Sequence, residues 1–243
     1  MIKKYWKPIN LGKLFNVPIV FGPSATLISI FWILLFYLSF GKYNLSGLFT
    51  AILIPVVIFG SVTAHEFAHI LMARKFGINT RRVDLFMFGG CALIESEPKT
   101  AVENFWVAIA GPLLSLCLFL IGYMFSLFLP EIIILSETLK FFKHINFVLF
   151  VFNMCFIIFP FDGGRIVHSI IWFFTENKRK SLKISHKISE YTLYSLVGLA
   201  FLSLKVKIPY FGGGAGAFIN VMFVVIIGYL MMNAAKNGKM PHM

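Results

Sequence analysis

Apolar residues in this chain come in long unbroken runs rather than at helical intervals between polar positions, the pattern of segments that are buried all round. The runs cover residues 24–40, 48–71, 102–129, 141–161, 188–204 and 218–232. Most approach the roughly 20 residues that a helix needs to cross a bilayer. The expected fold is therefore all-α and polytopic, with about six transmembrane helices.

Residues 82–95, RVDLFMFGGCALIE, break this pattern, because a β-like apolar stretch is interrupted by the turn signal Gly89-Gly90. The segment is too short to span as a helix. It predicts a small membrane-associated β hairpin whose edge can pair with an extended substrate, the alternative being an apolar loop packed on the helices.

Composition supports the membrane reading. With 58% hydrophobic residues, 13% charged residues and a mean hydropathy of +0.84, the chain exceeds the apolar share of a soluble domain. A single membrane domain over residues 1–243 is expected, its core at about 48–175. The net charge of +12 raises nucleic acid as a partner, but the cations cluster beside the apolar runs instead of interleaving with aromatics on one face. With the first segment placed inside, 17 Lys and Arg fall on the cytoplasmic side and 5 on the other. That asymmetry predicts a multi-pass cell-membrane protein with both termini cytoplasmic, in contact with anionic lipid headgroups and not with nucleic acid. The first residues resemble a signal-peptide n-region, yet the apolar stretch that follows shows no cleavage site and is read as a retained span. Cys91, Cys117 and Cys155 are odd in number and widely spaced, so they read as packing residues.

The chemistry lies inside these runs. His65, Glu66 and His69 form the pentapeptide HEFAH within the second run, whose residues 51–64 carry no charge. Residues four apart on a helix are separated by about 6 Å along the axis and roughly 40° around it, so both imidazoles face one zinc ion. Glu66, one position off that face, is placed to act on a zinc-bound water as general base. In a soluble helix the same pentapeptide is often only an exposed polar face; here no solvated face is available.

The fourth run ends in FPFDGGR, and its Asp162 is one of two Asp in the chain. Pro160 breaks the helix, and Gly163-Gly164 allow unusual dihedrals that aim the carboxylate into a protein-lined cavity. Asp162 is the expected third zinc ligand. His168 is the rival, and a solvated Asp in a helix-ending turn is the plain alternative. In the third run, AGPLLS places Gly111 and Ser115 as a small-xxx-small pair whose first role is close helix packing, with Pro112 shaping the neighbouring backbone. Residues 176–187 read as a basic cytoplasmic linker, and 210–218 as a glycine-rich connection. No long internal repeat is present.

Taken in order, HEFAH, FGGCALIE with Pro98 and Glu103, AGPLLS and FPFDGGR resemble the site-2 protease family of intramembrane zinc metalloproteases, from Gly22-Pro23-Ser24 through Arg165. The resemblance implies one zinc per chain on His65, His69 and Asp162, with Glu66 as catalytic base. Two departures stand out. The family's Asn is replaced by Ser115, which weakens a hydrogen-bonding role there. The family's Asn and Pro before the ligand Asp are replaced by Met154 and Ile157, with Asn153 one residue early. Family members often append PDZ or CBS domains; the expectation here is a minimal core without either.

The expected activity is hydrolysis of a peptide bond in or beside a transmembrane segment of a membrane protein or peptide, with a separate regulatory membrane protein as a possible partner. Two rivals remain. A metal or proton transporter would use the same buried His and carboxylates as a pathway but has no need of Glu66, and a pseudoprotease would bind peptides without cutting them.

Overall fold

The computed structural model describes residues 7–39, 45–87, 89–128 and 133–203, with a few positions between 225 and 233. Among them are six helices and one four-stranded sheet. The expected sixth span at 218–232 lies largely outside the described residues. The described residues form two compact units, one comprising 7–98 and 110–152, the other 99–109 and 153 onward.

The first unit begins with a hairpin that the hydropathy pattern concealed. β1 (Ile9–Leu14) and β2 (Val17–Phe21) are antiparallel. They are joined through Phe15 and Asn16, whose φ values of 47° and 64° give the left-handed turn that suits the twist of paired strands. Asn is at home in that region; Phe is not, and its presence hid the turn. α1 (Pro23–Ser39) and α2 (Leu45–Lys75) then carry the chain back to β3 (Thr80–Phe86), which pairs parallel with β2. β4 (Gly89–Ile94) closes antiparallel on β3, so the expected hairpin is one half of a sheet ordered β1-β2-β3-β4.

One stripe of α2 holds this unit together. Phe59, Val62, Phe67 and Ile70 pack against Val17, Val83, Leu85 and Ala92 of the sheet and Ala25 of α1. Val62, His65 and His69 follow the i, i+3, i+7 spacing of one helical face, which is why both histidines are buried with the core.

α2 and α3 (Ala101–Phe128) are long and apolar enough to cross a membrane. α4 (Ile133–Cys155) begins earlier and stops sooner than the fourth run suggested. Helix α4 ends five residues before Pro160, so the proline sits in the chain reversal rather than ending the helix.

In the second unit, α5 (Asp162–Thr175) packs against α6 (Lys178–Ser203). Residues 178–187, expected as a linker, are the first turns of α6, started by Asn177, whose Oδ1 accepts from the Lys180 N–H at 2.9 Å. Ser181, Ser185 and Ser189 form a fully buried stripe at four-residue spacing, each hydroxyl donating to a carbonyl of the preceding turn. Asn104, on the first turn of α3, donates to Ser169 at 2.7 Å and adds a buried polar contact to α5.

Candidate active site

α2 positions the first half of the site. His65 and His69 are 4% and 7% exposed, and their Nε2 atoms lie 3.2 Å apart. Two nitrogens each about 2.0–2.1 Å from a tetrahedral zinc would be roughly 3.3 Å apart. The pair therefore has the spacing of two ligands to one ion.

α3 leaves room for that ion. A Cβ added at Gly111 would collide with His69 Nε2 and would lie 2.6 Å from His65 Nε2. The glycine is required by space and not by its dihedrals. One turn on, Ser115 is fully buried with its Oγ 2.9 Å from His65 Nδ1. The small-xxx-small pair thus faces the histidines, and the serine keeps the hydrogen-bonding role that the loss of Asn was expected to weaken.

Glu66 lies on the adjoining face of α2, half-buried, against β4. A Cβ at Gly90 would come within 2.7 Å of Glu66 Cγ and 3.1 Å of Val62 Cγ1, so the sheet's edge strand meets the carboxylate side chain backbone-first. Cys91, next along β4, is buried and its thiol is pushed up to about 12 by burial, with the charges of Glu66 and Asp84 adding to it. It stays protonated and packs. Cys117 and Cys155 are exposed on the protein surface, so the packing expectation fits only Cys91 by burial; all three thiols are free.

Asp162 is 7% exposed and is the first residue of α5, in the second unit. Phe161 precedes it as a cap without a side-chain hydrogen bond. The positive end of the helix dipole favours an anion at that position. A Cβ at Gly163 would approach the carbonyl oxygens of Asn153 and Met154 to 2.8 and 2.9 Å, and one at Gly164 would reach the Phe159 nitrogen at 2.5 Å. Gly163 and Gly164 are therefore needed because the chain reversal folds tightly over the start of α5, and not for the unusual dihedrals expected of them.

His168 is engaged elsewhere in the same unit. Its Nδ1 is 3.2 Å from Ser181 Oγ, its ring stacks on Trp172, and Phe159 meets it edge-on. Burial lowers its pKa to about 4, and the positive charge of Lys178 adds to the shift. Six residues from Asp162, it points about 120° away around the helix axis.

Residues 53–135, which contain HEFAH, the β3–β4 hairpin and the glycine-serine pair, match the model of Peptidase family M50. The match covers the stretch of this chain that carries these residues, and relatives similar to it are named zinc metalloproteases. A Synechocystis sp. relative, named "Putative zinc metalloprotease", is 32% identical over 95% of this chain and 60% of its own length. A zinc metalloprotease of Methanocaldococcus jannaschii is 29% identical over 82% of this chain and 55% of its own length. The chain thus spans little more than half of these relatives. The solved structure of a site-2 protease from M. jannaschii superposes with a TM-score of 0.63 at 24% identity, covering 93% of this chain and 95% of that one, so the fold is shared. The family is membrane-embedded, in keeping with the two long apolar helices.

Proposed function

We propose that this protein is an intramembrane zinc endopeptidase that cleaves a peptide bond in or beside a transmembrane segment of a membrane protein or peptide. The observation that carries it is the buried His65–His69 pair, its Nε2 atoms 3.2 Å apart, with Glu66 beside it on the same helix. His65 and His69 would hold zinc, and Asp162 would complete the protein ligands. A carboxylate so deeply buried costs free energy unless it is compensated, and His168 is committed to Ser181 and Trp172. When bound, zinc supplies a Lewis acid that lowers the pKa of water to about 7 and polarises a carbonyl.

Glu66 takes the proton of the attacking water and returns it to the leaving amine. An intact helix hides its carbonyls in hydrogen bonds, so the substrate segment has to unwind first. β4, an edge strand whose Gly90 lies against Glu66, offers the unwound segment a backbone partner beside the base. A transporter would have no use for a carboxylate off the ligand face.

The activity is tested by comparing membrane peptides by mass spectrometry in cells carrying wild type and Glu66→Gln. A fragment that disappears with the variant and returns with wild type is expected; identical peptide sets would overturn the reading. The wider frame is part of the same proposal: a single multi-pass domain over 1–243 in the cell membrane, with about six spans and both termini cytoplasmic. Ser181 is fully buried and unsuited to labelling, so Lys180→Cys and Lys140→Cys, both exposed, are the positions to test in a variant without native cysteines. An impermeant thiol reagent on intact cells should label the second and spare the first; the reverse would invert the topology.

A further inference from the structure

Ser115 is the one polar side chain of the AGPLLS segment, and packing alone does not account for its placement. It is fully buried on α3, four residues after Gly111, with Oγ 2.9 Å from the Nδ1 of His65. We infer that Ser115 is a positioning residue for the metal site: its oxygen accepts the Nδ1–H of His65, which fixes the tautomer with a free lone pair on Nε2. This rests on the zinc reading above.

The proton count favours that direction. The two Nε2 atoms face each other at 3.2 Å, which leaves room for at most one proton between them, and none when both are ligands. A neutral imidazole that ligates through Nε2 must carry its proton on Nδ1, and that buried proton needs an acceptor. Ser115 Oγ provides it. Gly111 and Ser115 divide the work on one face of α3: the first clears space at Nε2, and the second holds the ring from Nδ1. An imidazole pinned at its far nitrogen loses one rotational freedom and gains basicity at the other.

Nitrogen-15 NMR of metal-free protein labelled at histidine, with wild type, Ser115→Ala and Ser115→Thr, is the test, alongside zinc affinity by competition with a chelator. The wild type is expected to show His65 with a protonated Nδ1. Ser115→Ala should shift it toward the Nε2–H tautomer and weaken zinc about 10- to 100-fold, and Ser115→Thr, which keeps the hydroxyl, should restore both. A wild-type His65 protonated at Nε2 would overturn the inference even if no variant folds. A folded Ser115→Ala with unchanged tautomer and unchanged affinity would do the same while leaving the zinc site intact. Wild type that binds no zinc through His65 would instead sink the metal reading.

Discussion

His65 and His69 stand one turn apart on an uninterrupted 31-residue helix, whereas Asp162 opens a 14-residue helix directly after a chain reversal. The first pair inherits its geometry from helical periodicity, and any stable helix with this sequence brings the imidazoles together. Asp162 depends on the turn from Phe156 to Phe161 and on two glycines that let backbone pass within van der Waals reach. The helix places its pair robustly, whereas the turn places its carboxylate only where no Cβ stands at Gly163 and Gly164. Their partners differ too. His65 is buttressed by Ser115 from a neighbouring helix, whereas Asp162 sits at the positive end of its own helix.

The sharpest separation of chemistry from construction is Glu66→Gln, which alters neither the histidine pair nor the turn before Asp162. It should retain zinc while cleavage falls about 10²- to 10⁴-fold, measured with metal analysis beside a peptide-release assay. Normal turnover would remove Glu66 as the base. Asp162→Ala comes next and is expected to strip most of the zinc, while His168→Ala keeps it; metal content of the two purified variants checks this, and the opposite result would make His168 the third ligand.

Gly111→Ala probes the helical half from the side of space. It should fold, because the backbone remains helical, yet bind zinc much more weakly, since the added methyl occupies the room in front of both Nε2 atoms. Zinc affinity beside circular dichroism distinguishes that outcome from unfolding. Gly164→Ala probes the turn, where the obstacle is backbone and cannot swing aside; a loss of about 1–3 kcal/mol in stability is expected from denaturant unfolding. If Gly164→Ala were neutral and Gly111→Ala unfolded the protein, the contrast between the halves would be reversed.

The smallest effect concerns pH in metal-free protein. His168 has a folded pKa near 4 against an ordinary 6.5, so the unfolded chain takes up its proton first as pH falls. Its contribution to stability is complete above pH 6.5, declines below it and is exhausted near pH 4. His168→Phe, which keeps an aromatic ring against Trp172, should flatten the unfolding midpoint across that window relative to wild type.

The amino-acid sequence alone determined the apolar helices, the β3–β4 hairpin, the histidine pair and the position of Glu66, because each follows from local periodicity or a turn signal. Residues four apart on a helix share a face whatever surrounds them. The β1–β2 hairpin escaped notice because its turn uses Phe15 at positive φ and every residue of β1 is exposed, leaving no alternation to read. The helical start of α6 was masked by its run of cations. Only tertiary structure decided that Gly111 and Ser115 face the histidines, that Gly90 brings a sheet edge against Glu66, and that Gly163 and Gly164 answer to space and not to dihedrals. These are contacts between segments distant in sequence, and packing selects among the helix faces and strand edges that a linear pattern leaves equivalent.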